Sequence, residues 1–423
     1  MRCPQDMRRR GFLAAALLAA GYAGAGSAAP RRGSGRGPLT LATGRDLTGY
    51  LQHVLDGWNR EHPAEAVTLV QLPEAADEVH AQMVESLRAG RDRFDVLNID
   101  VTWTAEFASA GWISPVDPDR LPLNRMLPSV LDTATFRGRL YAAPYVTNAG
   151  LLYYREDLLE KAGLGPPRTW AELEHAARTV APRYGVDGYA GQFLPYEGLT
   201  VNVDEAVESA GGSILDPDGR SVTVGSAAAR EGLGFLVRGV RDGWIPQRAL
   251  AFKEEESRLA FQAGTLLFLR NWPYVYDMAS VAGSAVAGRF GVTLLPGPDG
   301  QGASVLGGSN LAITSRCRHP ETAADLLAHM TGEEVQRQVL TRGSLPPVLA
   351  ALYTDRDLTR RYPYLPALEQ SVRTARVRPK SAAYEQVSLA VAAVSSDALR
   401  GQTTVAGAIS RVNRELRAIT RST

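Results

Sequence analysis

From residue 39 onward, short apolar runs alternate with segments of helical periodicity, and that alternation restricts the chain to a sheet covered by helices. Residues 39–42 read as a buried strand, and Leu47, Tyr50, Leu51, Val54, Leu55 and Trp58 recur at helical spacing. Residues 67–70 form the next strand, Val79, Met83, Val84 and Leu87 mark a helix, and residues 94–99 are again strand-like. Such strand–helix–strand units assemble as a mostly parallel sheet with helices on its faces. The order recurs further on. Residues 150–154 read as a strand, and Thr169-Trp170-Ala171-Glu172 supplies a capping box for a helix to about residue 180. Residues 206–212, 227–242 and 254–263 are helical by pattern, and 264–269, 290–295 and 311–314 are strand-like. Pro320 suits the first turn of a helix, Thr331-Gly332-Glu333-Glu334 offers a second capping box, and roughly the last 40 residues carry a helical pattern. Asp216-Pro217-Asp218-Gly219 and Pro298-Asp299-Gly300 read as hairpin turns rather than metal loops. At 423 residues the chain is long enough for two lobes.

The N-terminus has the order of an export signal. Arg8-Arg9-Arg10-Gly11-Phe12-Leu13 precedes an apolar run over 14–20 and a small-residue stretch ending in Ser27-Ala28-Ala29-Pro30. Two arginines, a spacer and Phe-Leu match a twin-arginine signal; a general secretory signal with an additional arginine is the alternative. The apolar core is too short to span roughly 30 Å of hydrocarbon. Residues 1–29 are therefore expected to be removed on export, with a flexible leader over 30–38. Tyr22 follows Leu18-Ala19-Ala20-Gly21, where a lipidated cysteine would stand, so no lipid anchor is expected. Removal of Cys3 leaves Cys317 without a disulfide partner. The net charge of +1 gives no sign of a nucleic-acid partner.

No His-Glu-x-x-His, phosphate loop or Gly-x-Ser-x-Gly elbow is present, and the six histidines are scattered. Neither a metal nor a cofactor is expected. With export and two lobes, this favours binding over catalysis; an exported glycoside hydrolase, which would need two facing carboxylates, is the enzyme alternative. Two positions stand out for recognition. Asp100 ends the strand-like run Phe94-Asp95-Val96-Leu97-Asn98-Ile99, and in open α/β sheets the carboxyl end of a strand faces the ligand crevice. Its carboxylate would accept hydroxyl hydrogen bonds there, or would cap the helix that follows. Trp272 follows an apolar run and precedes Pro273, placing an indole where it would pack on the C–H face of a sugar ring, or serve as core.

The sequence resembles the carbohydrate-binding group of bacterial extracellular solute-binding proteins, especially the trehalose/maltose type, over nearly the whole chain after the export signal. The resemblance is carried in order by Asp100-Val101-Thr102-Trp103, by Pro144-Tyr145-Val146-Thr147-Asn148-Ala149-Gly150-Leu151-Leu152-Tyr153-Tyr154-Arg155, and by Tyr196-Glu197-Gly198-Leu199. Arg270-Asn271-Trp272-Pro273-Tyr274, Leu306-Gly307-Gly308 and Val377-Arg378-Pro379 complete it. It implies an α/β two-lobe periplasmic-binding-protein fold with a ligand cleft and three interlobe crossings, near 145–149, 292–296 and 341–349. The N-terminal lobe would comprise 39–145 and 296–342, and the C-terminal lobe 146–295 and 343–423. Asp100 and Gly308 would fall on the first lobe, Trp272 and Arg378 on the second.

The resemblance also implies roles. Asp100 would bind sugar hydroxyls, Trp272 would stack on a ring, Gly308 would present its backbone amide, and Arg378 would hydrogen-bond to the sugar. Asn148, Gly307, Ser309, Asp46, Glu197 and Tyr384 complete the expected ligand contacts. The family pattern is departed from at Ser309, which replaces a second tryptophan, and at Val146, which replaces a tyrosine. Val79 or His80 stands near the place of an arginine, and Asp46 replaces a glutamate. The implied function is capture of a sugar, a disaccharide or other α-glucoside, by hinge closure, for delivery to the permease subunits of an ABC importer. The protein would act as a monomer outside the cytoplasmic membrane and perform no chemistry on the ligand. A polyamine, organic anion or oligopeptide ligand on the same fold is the alternative.

Overall fold

The protein's structure, a computed structural model, describes residues 35–73, 75–90, 93–217 and 219–421. The expected export signal, Cys3, the first part of the leader and Asp218 lie outside the described residues. Strands Leu39–Thr43, Val67–Gln71 and Val96–Asp100 pair in parallel, as the alternation requires. Val305–Ile313 runs antiparallel to Val96–Asp100 on one side and to Ala143–Ala149 on the other. Beyond Asp100, the short strand Arg376–Val377 takes up the same side of Val305–Ile313, pairing with Val305 and Leu306. The second sheet runs Phe290–Thr293, Leu151–Arg155, Leu266–Asn271, Asp187–Ala190.

Alternation along the strands sorts the first sheet's side chains onto two faces. Leu39, Leu41, Val96, Leu311 and Ile313 pack on one face, beneath helices Tyr50–Glu61, Pro320–Met330 and Glu333–Thr341. Ala42, Leu97, Ile99 and Ala312 pack on the other, with helix Ala76–Arg88. The expected amphipathic helix begins at Tyr50, and its buried residues are Tyr50, Leu51, Val54, Leu55 and Trp58; Leu47 lies outside it and is exposed. The capping box at Thr169 and Glu172 forms with both reciprocal hydrogen bonds. The second, at Thr331, does not: Thr331 Oγ1 donates back to the carbonyls of Leu327 and Ala328, and Gly332 precedes the helix.

Two elements are longer than their patterns. Helix Glu197–Ser209 starts well before residue 206, because its residues 198–207 are buried on all sides and show no amphipathic period. Strand Val305–Ile313 starts before residue 311 and runs through Gly307 and Gly308. Those glycines are steric requirements. A Cβ on Gly308, whose φ is 117°, would stand 2.1 Å from the Val146 carbonyl oxygen, and one on Gly307 would stand 3.0 Å from the Trp272 ring.

The chain changes sheet at Gly150, immediately after the expected 145–149, since those residues still pair in the first sheet. The backbone N–H of Gly150 donates to Ser304 Oγ at 2.6 Å, and its carbonyl accepts from Ser371 Oγ at 3.2 Å. Residues 292–296 do not yet reach the first sheet. After Thr293 the chain makes a turn in which Gly297 bridges to Thr169, and it joins the first sheet only at Val305. The stretch 341–349 touches the first sheet through Pro347 opposite Val146. Arg378 follows a strand of the first sheet, so it stands at the junction rather than within the second sheet. Among the described residues no helix is long and apolar enough to cross a membrane.

Replacing Gly308 by alanine is expected to lower unfolding stability by about 2–4 kcal/mol in urea denaturation, since strain and overlap add. A change below about 0.5 kcal/mol would show that the strand pair yields to the methyl group.

Candidate functional site

A cavity of about 360 Å³ lies between the two sheets. Thr43, Asn98, Asp100 and Ser309 reach it from one face at the end of the first sheet, which is where strand alternation and the register of Ser309 opposite Asp100 put them. Tyr196, Glu254, Trp272 and Tyr274 reach it from the second sheet and its helices.

Trp272 is half-buried and seated from behind. The Arg270 guanidinium lies over its ring at 4.1 Å, a cation–π arrangement in a desolvated place. Arg270 is itself buried and bidentate to Glu205, with Nε to Oε2 and Nη2 to Oε1 both 2.6 Å, and Nη1 donates to Gln192 Oε1 at 3.0 Å. Trp272 therefore belongs to both of its expected readings: one side of it is core, and the residue lines the cavity.

Asp100 also resolves into two roles. Its Oδ1 accepts from the Thr102 N–H at 2.9 Å, Thr102 Oγ1 at 2.7 Å and Arg378 Nη2 at 3.1 Å. That oxygen forms the local turn, ahead of a helix that begins at Thr104. Oδ2 takes none of these bonds, and the side chain is about a quarter exposed, at 23%. Arg378 is buried and committed: Nη2 goes to Asp100, Nη1 to Glu197 Oε1, and Nε to the Leu306 carbonyl at 3.3 Å.

Glu197 lines the cavity, but its oxygens are taken by Arg378, by Tyr384 Oη at 2.9 Å and by Ser388 Oγ. Burial pushes its carboxyl up, against the pull of Arg378. Burial likewise raises Glu254, whose Oε2 accepts from Tyr196 Oη.

Nine of the ten expected contact residues line the cavity: Asp46, Asp100, Asn148, Glu197, Trp272, Gly307, Gly308, Ser309 and Arg378. Four of the expected roles are corrected: Arg378 and Glu197 are spent on the wall's own hydrogen bonds, and Tyr384 and Asp46 are committed as well. Tyr384 is buried and does not line the cavity; it serves Glu197 instead. Asp46 lines the cavity, but Oδ1 accepts from Thr48 N–H, Thr48 Oγ1 and Gly49 N–H, and Oδ2 from Leu51 N–H, all at 2.9–3.0 Å. Its lone pairs are used in starting helix Tyr50–Glu61.

Val146, expected in place of a tyrosine, and Val79, one of the two residues expected near the place of an arginine, both line the cavity as apolar walls. His80 turns away to Glu106 Oε2 at 2.7 Å. Sequence reasoning missed Trp103, Tyr196, Glu254 and Tyr274, although three of them lie inside or beside the quoted family segments. Across the mouth, the turn opening helix Ala76–Arg88 meets the second lobe at three points. The Glu197 N–H donates to Asp77 Oδ1 at 3.4 Å, Lys253 Nζ lies 3.8 Å from Glu78 Oε1, and His80 Nδ1 lies 4.0 Å from Glu385 Oε2.

A two-lobed molecule with a partly polar cavity between its sheets is built to enclose a small solute. The chain matches the family of bacterial extracellular solute-binding proteins over residues 43–337, and it belongs to that family. It is 35% identical over 79% of its length, and 81% of the relative's, to the "Probable ABC transporter-binding protein" of Deinococcus radiodurans. It is 33% identical to the mannitol-binding protein of Pseudomonas aeruginosa over 38% of each chain. The maltose-bound MalE3 of T. maritima superposes with a TM-score of 0.85 at 33% identity, covering 90% of this chain and 99% of the other. The expected fold class, two α/β lobes of the periplasmic-binding type, is the observed one. Family membership implies an extracytoplasmic place of work and an ABC permease as partner.

Removing Glu205 strands a buried guanidinium. Glu205→Ala is expected to cost about 3–5 kcal/mol in urea unfolding and to alter the emission of Trp272. A variant as stable as the parent would show that water or another acceptor replaces the carboxylate.

Proposed function

We propose that this protein captures a neutral sugar or polyol between its lobes and presents the closed, loaded form to the permease of an ABC importer. Within that class, an α-linked disaccharide is the specific ligand. The observation that carries this reading is the convergence of the Trp272 ring and the open Oδ2 of Asp100 on one cavity. An indole face suits the C–H face of a sugar ring, while carboxylate and amide oxygens suit its hydroxyls. The cavity volume falls at the small end of ligand sites, where one or two rings fit.

Charge supports a neutral ligand over an organic anion. Of the two arginines that line the cavity, Arg45 is exposed, and the buried Arg378 is already committed to two carboxylates and a carbonyl. An anion would have to displace those bonds and would face Asp100 and Glu254. Maltose on a structural relative and mannitol in the name of a sequence relative point to the same class of ligand. Ser309 stands where the family pattern has a second tryptophan, so Trp272 would form the main stacking wall.

Contacts made from both lobes stabilise the closed state more than the open one, and that difference drives closure. Gly150 and Ser304, where two chain crossings meet by a hydrogen bond, are the proposed hinge. Asp100, Trp272, Asn148, Ser309 and the Gly307–Gly308 backbone are the proposed ligand contacts, with Glu197, Arg378, Asp46 and Tyr384 holding the walls. The protein works as a monomer, and the ligand leaves unchanged.

Titration calorimetry with maltose, trehalose, glucose, D-mannitol and galacturonate is expected to give heat with at least one neutral member and none with galacturonate. Trp272→Ala should weaken binding by about 1–3 kcal/mol while the fold survives. No heat from any neutral member, or hydrolysis of the disaccharide during incubation, would overturn the reading.

A further inference from the structure

Asn98 and Asn148 are the two wall residues whose buried amide oxygens have no partner among the described residues, and Asn98 is the one whose other end is visibly committed to the scaffold. It lies two residues before Asp100 on strand Val96–Asp100, so both side chains leave the same face of the sheet. Thr43 ends the neighbouring parallel strand on that face, and Asn98 Nδ2 donates to Thr43 Oγ1 at 2.9 Å. This bond fixes which end of the amide is committed to the scaffold. The other end, Oδ1, is fully covered and has no hydrogen-bond partner among the described residues. Asn98 and Thr43 are both part of the cavity wall. A buried acceptor left unpaired is costly, and an asparagine kept only to bridge two strands would be matched at both ends.

We propose that Asn98 is a specificity-determining residue, its Oδ1 accepting a hydrogen bond from a ligand hydroxyl next to the one held by Asp100 Oδ2. The inference rests on the sugar or polyol reading and sharpens it. Once a ligand hydroxyl reaches the covered Oδ1, the first-lobe wall supplies two acceptors from one strand, while Asn98 Nδ2 stays bonded to Thr43. The ligand must therefore offer two hydroxyl donors to that wall. A ligand whose corresponding hydroxyl is removed or methylated leaves Oδ1 unpaired and is rejected. Asn98 performs this selection without charge, which fits a neutral ligand beside the single open carboxylate oxygen of Asp100.

The test uses the full chain after export-signal removal, with calorimetry against maltose, trehalose and D-mannitol and thermal melts of each ligand-free variant. Asn98→Leu should bind the preferred probe at least about tenfold more weakly, with a ligand-free melting temperature close to the parent's, because the loss of the bond to Thr43 Oγ1 is offset by the removal of an unpaired buried acceptor. Asn98→Asp, which keeps an acceptor on the cavity side, should retain more affinity than Asn98→Leu. Monodeoxy analogues of the preferred probe supply the sharper readout. For one of them the parent's preference for the intact sugar should vanish in Asn98→Leu. Equal binding by Asn98→Leu and the parent would overturn the role of Asn98 and leave the sugar reading intact. A fall in melting temperature with an unchanged pattern across the deoxy analogues would overturn it too, by making Asn98 a scaffold residue. If the parent bound none of the probes, the sugar reading would fail and the Asn98 proposal with it.

Discussion

The ion pair between Arg270 and Glu205 ties together the parts of the molecule that must agree on one geometry. Arg270 lies on a central strand of the second sheet, and Glu205 lies on the buried helix Glu197–Ser209. The guanidinium backs the Trp272 ring, while Glu205 Oε1 also accepts from Ser304 Oγ, which in turn holds the Gly150 N–H. Stacking wall, buried helix and chain crossing thus share one charged contact. Burying two charges carries a large desolvation cost, and the pair persists because nearly every donor and lone pair is matched, by Gln192 and Ser304 as well as by each other. Gly150 belongs to the same arrangement: a Cβ there would stand 2.4 Å from Glu205 Oε1.

The cavity follows the same economy of charge. Arg378 and Glu197, which look in sequence like ligand contacts, neutralise each other and fix the wall. Their position follows from topology, because Arg376–Val377 and Val96–Asp100 lie end to end along the same strand and bring Arg378 to Asp100. What is left for a ligand is the Trp272 indole, Asp100 Oδ2 and side-chain amides, beside Glu254 and the rings of Trp103, Tyr196 and Tyr274. That set discriminates by hydroxyl pattern and ring shape, and hydrogen-bonding sites reject analogues lacking the matched group more strongly than apolar pockets do.

Much of this was legible in the sequence where local pattern and fold agree. The alternating strands placed Asp100 at a carboxyl end, and the helix from Tyr50, the Thr169 capping box and the position of Trp272 followed from residue type and spacing. The failures have physical causes. A helix buried on every side has no amphipathic period, so residues 197–205 gave no signal. The strand-like pattern starts only at residue 311, yet the strand runs back through Gly307 and Gly308, where a Cβ would crowd Trp272 and the Val146 carbonyl. Thr331 had the spacing of a cap, but its hydroxyl bonds to the preceding helix. Asp46 and Tyr384 were assigned by resemblance to ligand contact, and only hydrogen-bond accounting shows their valences spent on a helix start and on Glu197. Asn98 needed no structure to be noticed, since strand alternation alone places it on the face of Asp100.

The most direct test of sugar capture is a crystal structure of the exported chain grown with the tightest-binding neutral sugar or polyol. The bound molecule should lie between the lobes with a ring or carbon face against Trp272 and a hydroxyl within hydrogen-bond distance of Asp100 Oδ2. A ligand seated elsewhere on the molecule, or one that leaves both of those groups facing solvent, would contradict it.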